Sequence, residues 1–192
     1  MEVHQAGVNS SELLYHVGNF TLSASDPLVA WGSSHDTGFS GYAPTVSVYG
    51  GLVVLVAQGS SGELWYSVGQ VNTTNNTITW SPVTHYDNGY NPTVSVSSCD
   101  LSYVCDWLVV EAHQANNDTG SLWYRVGTVS LSTGLTTIYF AASTKYSSSG
   151  CYPSVTQILG LQGAPNQVVE SHSDECAVRA NILTSIGILP QP

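Results

Sequence analysis

One short motif returns four times along this chain. Glu2-Val3-His4-Gln5 recurs as Leu55-Val56-Ala57-Gln58, as Glu111-Ala112-His113-Gln114 and as Glu170-Ser171-His172-Ser173, at offsets of about 53, 56 and 59 residues. A second motif follows each copy: Leu13-Leu14-Tyr15-His16-Val17-Gly18, Leu64-Trp65-Tyr66-Ser67-Val68-Gly69 and Leu122-Trp123-Tyr124-Arg125-Val126-Gly127, with a worn version at Ile182-Leu183-Thr184-Ser185-Ile186-Gly187. A third is aromatic, Val29-Ala30-Trp31, Ile78-Thr79-Trp80 and Ile138-Tyr139-Phe140. A fourth contains proline: Ala43-Pro44-Thr45-Val46-Ser47-Val48, Asn91-Pro92-Thr93-Val94-Ser95-Val96 and Tyr152-Pro153-Ser154-Val155. A fixed period of this length is the mark of a repeat architecture, in which each unit needs its neighbours to cover its apolar surface.

Each motif is short, rich in β-branched and aromatic residues and bounded by turn formers, and none has a helical period. We label the strands a (proline motif), b (Glu-x-His-Gln), c (Leu-Trp-Tyr) and d (Ile-x-Trp). The chain then runs bcd, abcd, abcd, abc, fourteen strands in repeats of approximately 1–48, 49–97, 98–157 and 158–192. Proline is expected at the first position of each a strand, where its missing N–H costs no ladder bond. Polar turns are expected between d and a, at His35-Asp36-Thr37-Gly38, Tyr86-Asp87-Asn88-Gly89 and Tyr146-Ser147-Ser148-Ser149-Gly150. The fold class is therefore all-β, and a four-stranded antiparallel unit at this period predicts the blades of a β-propeller, about 3.5 to 4 per chain. A β-sandwich is the alternative, but it has no reason to repeat its motifs in register. The incomplete first and last units leave open edges. They are closed either by pairing the chain's own ends or by oligomerisation, and a longer parent chain would also complete them.

Charge narrows the partners. Three Lys plus Arg stand against thirteen Asp plus Glu, a formal net charge of −10. No basic patch exists to meet phosphates, which speaks against nucleic acid and anionic membranes. Charged residues are only 8 % of the chain, but 42 % hydrophobic residues, with 11 Tyr and 5 Trp, supply a core. No apolar run is long enough for a membrane span, and the first residues do not read as a signal peptide. The four cysteines suggest two disulfides, Cys99 with Cys105 closing a loop and Cys151 with Cys176 beside two strands; four buried thiols are the alternative. Zinc ligation by them lacks the usual spacing. Sequons at Asn9, Asn19, Asn72, Asn75 and Asn117 agree with a secreted protein.

The Trp-Tyr-x-Val-Gly strand at Trp65 to Gly69 and the Tyr-Asp-x-Gly-x-Asn-Pro segment at Tyr86 to Pro92 resemble repeat β-propellers of the lectin-like and sialidase-like kind. The resemblance implies sugar binding with repeated sites. On a strand, Glu2 and His4 share a face, as do Glu111 with His113 and Glu170 with His172. Such a pair can bind sugar hydroxyls, hold a metal or do acid–base work; it can equally tie one blade to the next. Leu55 and Ala57 replace it in the second copy. Tyr15, Tyr66 and Tyr124 recur at one position, and aromatic rings stack on sugars. Trp31 and Trp80 read as core. The candidate ligand-binding residues are thus Glu2, His4, Tyr15, Tyr66, Tyr86, Asp87, Glu111, His113, Tyr124, Arg125, Glu170 and His172, with no catalytic residues, no metal site and no cofactor expected.

A hydrolase would need opposed carboxylates or an activated nucleophile, and a sialidase a cluster of arginines; only Arg125, Arg179 and Lys145 are cationic. The expectation is a secreted, non-enzymatic, glycan-binding propeller. A structural or assembly protein of an extracellular polymer is the second reading, and a sialidase-like glycosidase the last.

Overall fold

The computed structural model describes residues 1–21, 28–99, 106–117, 120–130, 137–158, 167–174, 176 and 182–188. They form antiparallel sheets, with no helix among them. The first sheet orders β1 (Glu2–Gln5), β2 (Glu12–His16) and β5 (His35–Ser40); β3 (Gly18–Thr21) and β4 (Leu28–Trp31) pair as a separate hairpin beside it, linked by the Gly32 N–H to Val17 O bond of 2.9 Å. The second orders β6 (Tyr42–Tyr49), β7 (Leu52–Gln58) and β8 (Glu63–Asn72), with β9 (Thr77–Trp80) and β10 (Thr84–Asn88) both on the outer side of β8. The third repeats this as β11 (Tyr90–Ser98), β12 (Trp107–Gln114) and β13 (Leu122–Val129), with β14 (Tyr139–Phe140) and β15 (Thr144–Ser147) beyond. The fourth holds β16 (Cys151–Ile158), β17 (Gln167–Ser173) and β18 (Ile182–Ile188). The grouping is bcd, abcd, abcd, abc, as the motifs predict.

Two local expectations are corrected. The proline of strand a does not begin the strand. It sits two residues inside, in a bulge between Tyr42 and Thr45, between Tyr90 and Thr93, and between Cys151 and Ser154. A bulge frees proline from the ladder bond it cannot donate. The residue before each proline, Ala43, Asn91 or Tyr152, is left-handed at φ 45°, 49° and 53°. Likewise, most of the expected d–a turn is strand. His35–Ser40, Thr84–Asn88 and Thr144–Ser147 are the second half of d, split from the first half by a three-residue break. Gly89 and Gly150 mark close approach as well as turning. A Cβ on Gly89 would lie 2.5 Å from His113 Cδ2, and one on Gly150 2.7 Å from His172 Cδ2.

The sheets stack face to face in chain order. Strand β6 packs on β11, and β11 packs on β16. Val53, Val54, Leu55, Val56 and Ala57 of β7 are all fully buried, so both faces of the second sheet are covered. That is why this strand reads as an unbroken apolar run. One cluster joins Val54, Val56, Tyr66 and Val68 of the second sheet to Val94, Val96, Val109 and Ile138 of the third.

Polar ties hold the stack in register. Ser47 Oγ accepts the Val96 N–H at 3.0 Å, and Ser95 Oγ accepts the Gln157 N–H at the same distance one sheet later. The strand-b glutamine serves the bulge of the next sheet: Gln58 Oε1 accepts the Asn91 N–H at 2.7 Å, and Gln114 Oε1 the Tyr152 N–H at 2.9 Å. Cys151 is bridged to Cys176 with Cα atoms 5.4 Å apart. The expected partner of Cys99, Cys105, lies outside the described residues.

Replacing Gln114 by Ala removes the acceptor of the part-buried Tyr152 N–H and of Asn91 Nδ2, at a cost of about 1–2 kcal/mol. A lower urea midpoint with an unchanged m-value is expected. Gly89→Ala forces a Cβ into the His113 ring and should destabilise by about 1–3 kcal/mol, measured the same way.

Candidate functional site

Strand alternation puts Glu111 and His113 on the face of the third sheet that meets the second. The two are 0 % and 2 % exposed. His113 Nδ1–H donates to Glu111 Oε2 at 3.0 Å, and Tyr86 OH, from strand d of the second sheet, donates to Glu111 Oε1 at 2.9 Å. The next junction copies this arrangement. His172 Nδ1–H donates to Glu170 Oε2 at 3.0 Å, and Tyr146 OH from the third sheet donates to Glu170 Oε1 at 2.9 Å. Tyrosine, glutamate and histidine thus form one tie across each of these two junctions.

The junction between the first and second sheets lacks the tie on both sides. Leu55 and Ala57 stand where glutamate and histidine would be, and Thr37 occupies the bulge position that Tyr86 and Tyr146 hold. Thr37 turns back on its own sheet, donating to Leu13 O at 2.9 Å. Leu13, Phe39, Leu55 and Ala57 fill the gap as an apolar cluster. A buried carboxylate is tolerable only when its oxygens have donors, so the two halves of the tie are lost together.

Tyr15 and Tyr66 make a second kind of tie. Both are buried, and their hydroxyls accept the backbone N–H of Ile78 at 3.0 Å and of Ile138 at 3.1 Å, each in the following sheet. Tyr124, at the matching position, is half-buried with its ring centroid 6.2 Å from that of Tyr146.

Asp87 and Arg125 sit in a more open setting at the second–third junction, 24 % and 15 % exposed. Arg125 Nη1 lies 3.4 Å from Asp87 Oδ2 and also donates to Tyr86 O, while its Nε donates to Ala141 O at 2.9 Å. Its guanidinium lies 5.3 Å over the Phe140 ring, which itself stacks on Tyr86 at 5.1 Å. Ser143 Oγ donates to Asp87 Oδ2. Ser143 carried no repeat signal and was not among the sequence candidates.

The first sheet shows the same kind of face without a cover. Glu2 and His4 are 51 % and 37 % exposed. Trp31, expected in the core, is 51 % exposed and Val29 is 39 % exposed, whereas the matching Ile78 and Ile138 are 8 % and 5 %. Glu2 pairs across the ladder with His16. Ser67, Arg125 and Ser185 hold that position in the other sheets.

Burial raises the Tyr86 hydroxyl well above its ordinary range, and the charge and hydrogen bond of Glu111 push the same way. Tyr146 is raised for the same reasons through burial and Glu170. For His113 burial acts downward, but the hydrogen bond and charge of Glu111 outweigh it, and the net shift is upward. A raised folded-state pKa stabilises fully below the unfolded value and loses that stabilisation as pH rises through the folded value. His113 should therefore make the wild type lose stability as pH climbs from about 6.5, and His113→Gln should remove that slope from urea midpoints. Tyr86 acts likewise above roughly pH 10. Tyr86→Phe should flatten the alkaline loss while lowering neutral stability by about 1–3 kcal/mol, because Glu111 loses a donor.

No protein-family model, curated protein or solved structure matches the chain, which leaves the chemistry of these junctions to indicate what it does.

Proposed function

We propose that this chain is a non-enzymatic, secreted recognition module whose stacked sheets are consecutive blades of a β-propeller, and that it binds neutral glycans at blade junctions. The observation that carries the reading is the Asp87–Arg125–Ser143 group over Phe140. In a chain with three Lys plus Arg in all, one arginine is held half-buried beside a carboxylate, a hydroxyl and an aromatic face. Vicinal sugar hydroxyls need such adjacent donors and acceptors, and the ring offers an apolar surface. Among the other candidates, Glu111, His113, Glu170 and His172 are buried in the sheet-to-sheet ties and act behind such a site. Glu2 and His4 remain accessible. The Cys151–Cys176 bridge fits an oxidising compartment, and no helix among the described residues is long and apolar enough to cross a membrane.

The uncovered face of the first sheet favours a second reading, assembly. Phe20, Val29 and Trp31 are exposed there. In their β3–β4 hairpin, Val29 stands where Ile78 and Ile138 are packed under the preceding sheet. A further sheet of this repeat stacked on it would complete a ring or extend a polymer.

Glycan-array screening followed by titration tests the first reading. Binding to a neutral glycan is expected, weakened at least about tenfold by Asp87→Asn and by Arg125→Gln, since lost charge-assisted hydrogen bonds are each worth about 1.5–3 kcal/mol. Folded protein that binds no neutral glycan overturns it. Light scattering over a dilution series tests the second: mass should rise with concentration, and Val29→Lys should abolish the rise.

A further inference from the structure

We infer that Glu2, His4 and His16 form a binding site for a divalent transition-metal ion of the zinc class. The three come from adjacent strands of the first sheet, Glu2 facing His16 across the β1–β2 ladder and His4 two residues along from Glu2. One ligand atom from each can be chosen so that all lie within 4.8 Å of one another. Among the described residues this is the group of histidine, cysteine and carboxylate side chains with that property.

Three details distinguish it from the glutamate–histidine ties deeper in the stack. The first is the contact itself. His4 Nδ1 lies 3.3 Å from Glu2 Oε1, yet this buried nitrogen has no hydrogen-bond partner. In the buried pairs the same contact is a hydrogen bond of 3.0 Å. Two ligands at roughly 2.0–2.1 Å on a tetrahedral ion stand about 3.3–3.4 Å apart, so the observed spacing suits a shared metal. The second is the covering group. Tyr86 and Tyr146 donate to Glu111 and Glu170, but no tyrosine among the described residues is bonded to Glu2, whose carboxylate is open to solvent.

The third is His16. Its Nδ1 lies 3.0 Å from Gly32 O, a bond in which the ring nitrogen donates. That fixes the tautomer, leaving Nε2 with its lone pair for a metal, and a carbonyl behind a ligating imidazole is the usual supporting contact. The His16 ring stacks on that of His4 with centroids 5.4 Å apart, so the two imidazoles sit side by side. Two imidazoles and one carboxylate suit zinc, copper or nickel over calcium or magnesium, which prefer all-oxygen cages. Three protein ligands leave a position for water or a further donor.

The test is calorimetric titration of the full chain with zinc chloride, alongside histidine side-chain NMR on the same protein. One zinc ion per chain is expected, with the His4 and His16 resonances moving and those of His113 and His172 staying in place. His16→Ala and Glu2→Gln should each weaken binding at least about tenfold, while His85→Ala, an exposed histidine of the second sheet, should leave it unchanged. No saturable binding, or binding that survives His16→Ala, overturns the assignment. The NMR arm needs no variant, so zinc that shifts other histidines and spares His4 and His16 overturns it as well.

Discussion

A sheet buried on both faces must find a neighbour for each face, and that requirement organises this protein. Strand β7 is the plainest case: five consecutive side chains, Val53 to Ala57, are removed from solvent. Alternation sends them to opposite sides, so neither face of the second sheet survives without the sheet beside it. At about 25 cal/mol for each square ångström of apolar surface, such stacking is the main favourable contribution. It is non-directional, however, and does not choose the register in which one sheet lies on the next.

Register comes from the polar groups. Serines on one strand a receive backbone N–H groups of the next, and Gln58 and Gln114 do the same for the bulges. The tyrosine–glutamate–histidine ties add a charged group that is costly to bury unless every partner is in place. A sheet displaced by one residue would strand a carboxylate in the core. Where the tie is missing, between the first and second sheets, Phe39 and Leu55 restore an apolar contact. Both solutions occur in one chain, which makes the tie a device for specificity and leaves adhesion to the apolar contacts.

The same logic separates groups that serve the stack from groups able to serve a ligand. A glutamate between two sheets has both carboxylate oxygens engaged, and the histidine beside it has its Nδ1 engaged. A group on an uncovered face, like Glu2, or at the mouth of a junction, like Asp87 and Arg125, keeps some capacity for an outside partner. Identical motifs thus carry different chemistry according to whether a neighbouring sheet lies over them.

Much of the fold was legible in the residues. The four motifs, their order and the grouping bcd, abcd, abcd, abc follow from periodic β-branched and aromatic segments, because strand formation depends on local pattern. The Cys151–Cys176 bridge was likewise readable from two cysteines beside neighbouring strands. The bulge at the proline and the strand character of Thr84–Asn88 were not, since turn formers such as Asp, Asn and Gly give the same local signal in a bulged edge strand as in a loop. Nor could the partner of each Glu-x-His pair be read. Tyr86 and Glu111 are 25 residues apart, Gln157 and Ser95 are 62 apart, and His16 meets Glu2 only through the ladder. Sequence alone determined that this chain makes repeating sheets and that its second copy lacks the charged pair. Tertiary structure decided which pairs are covered and which face solvent, because burial is a property of the stack and leaves no trace in any single strand.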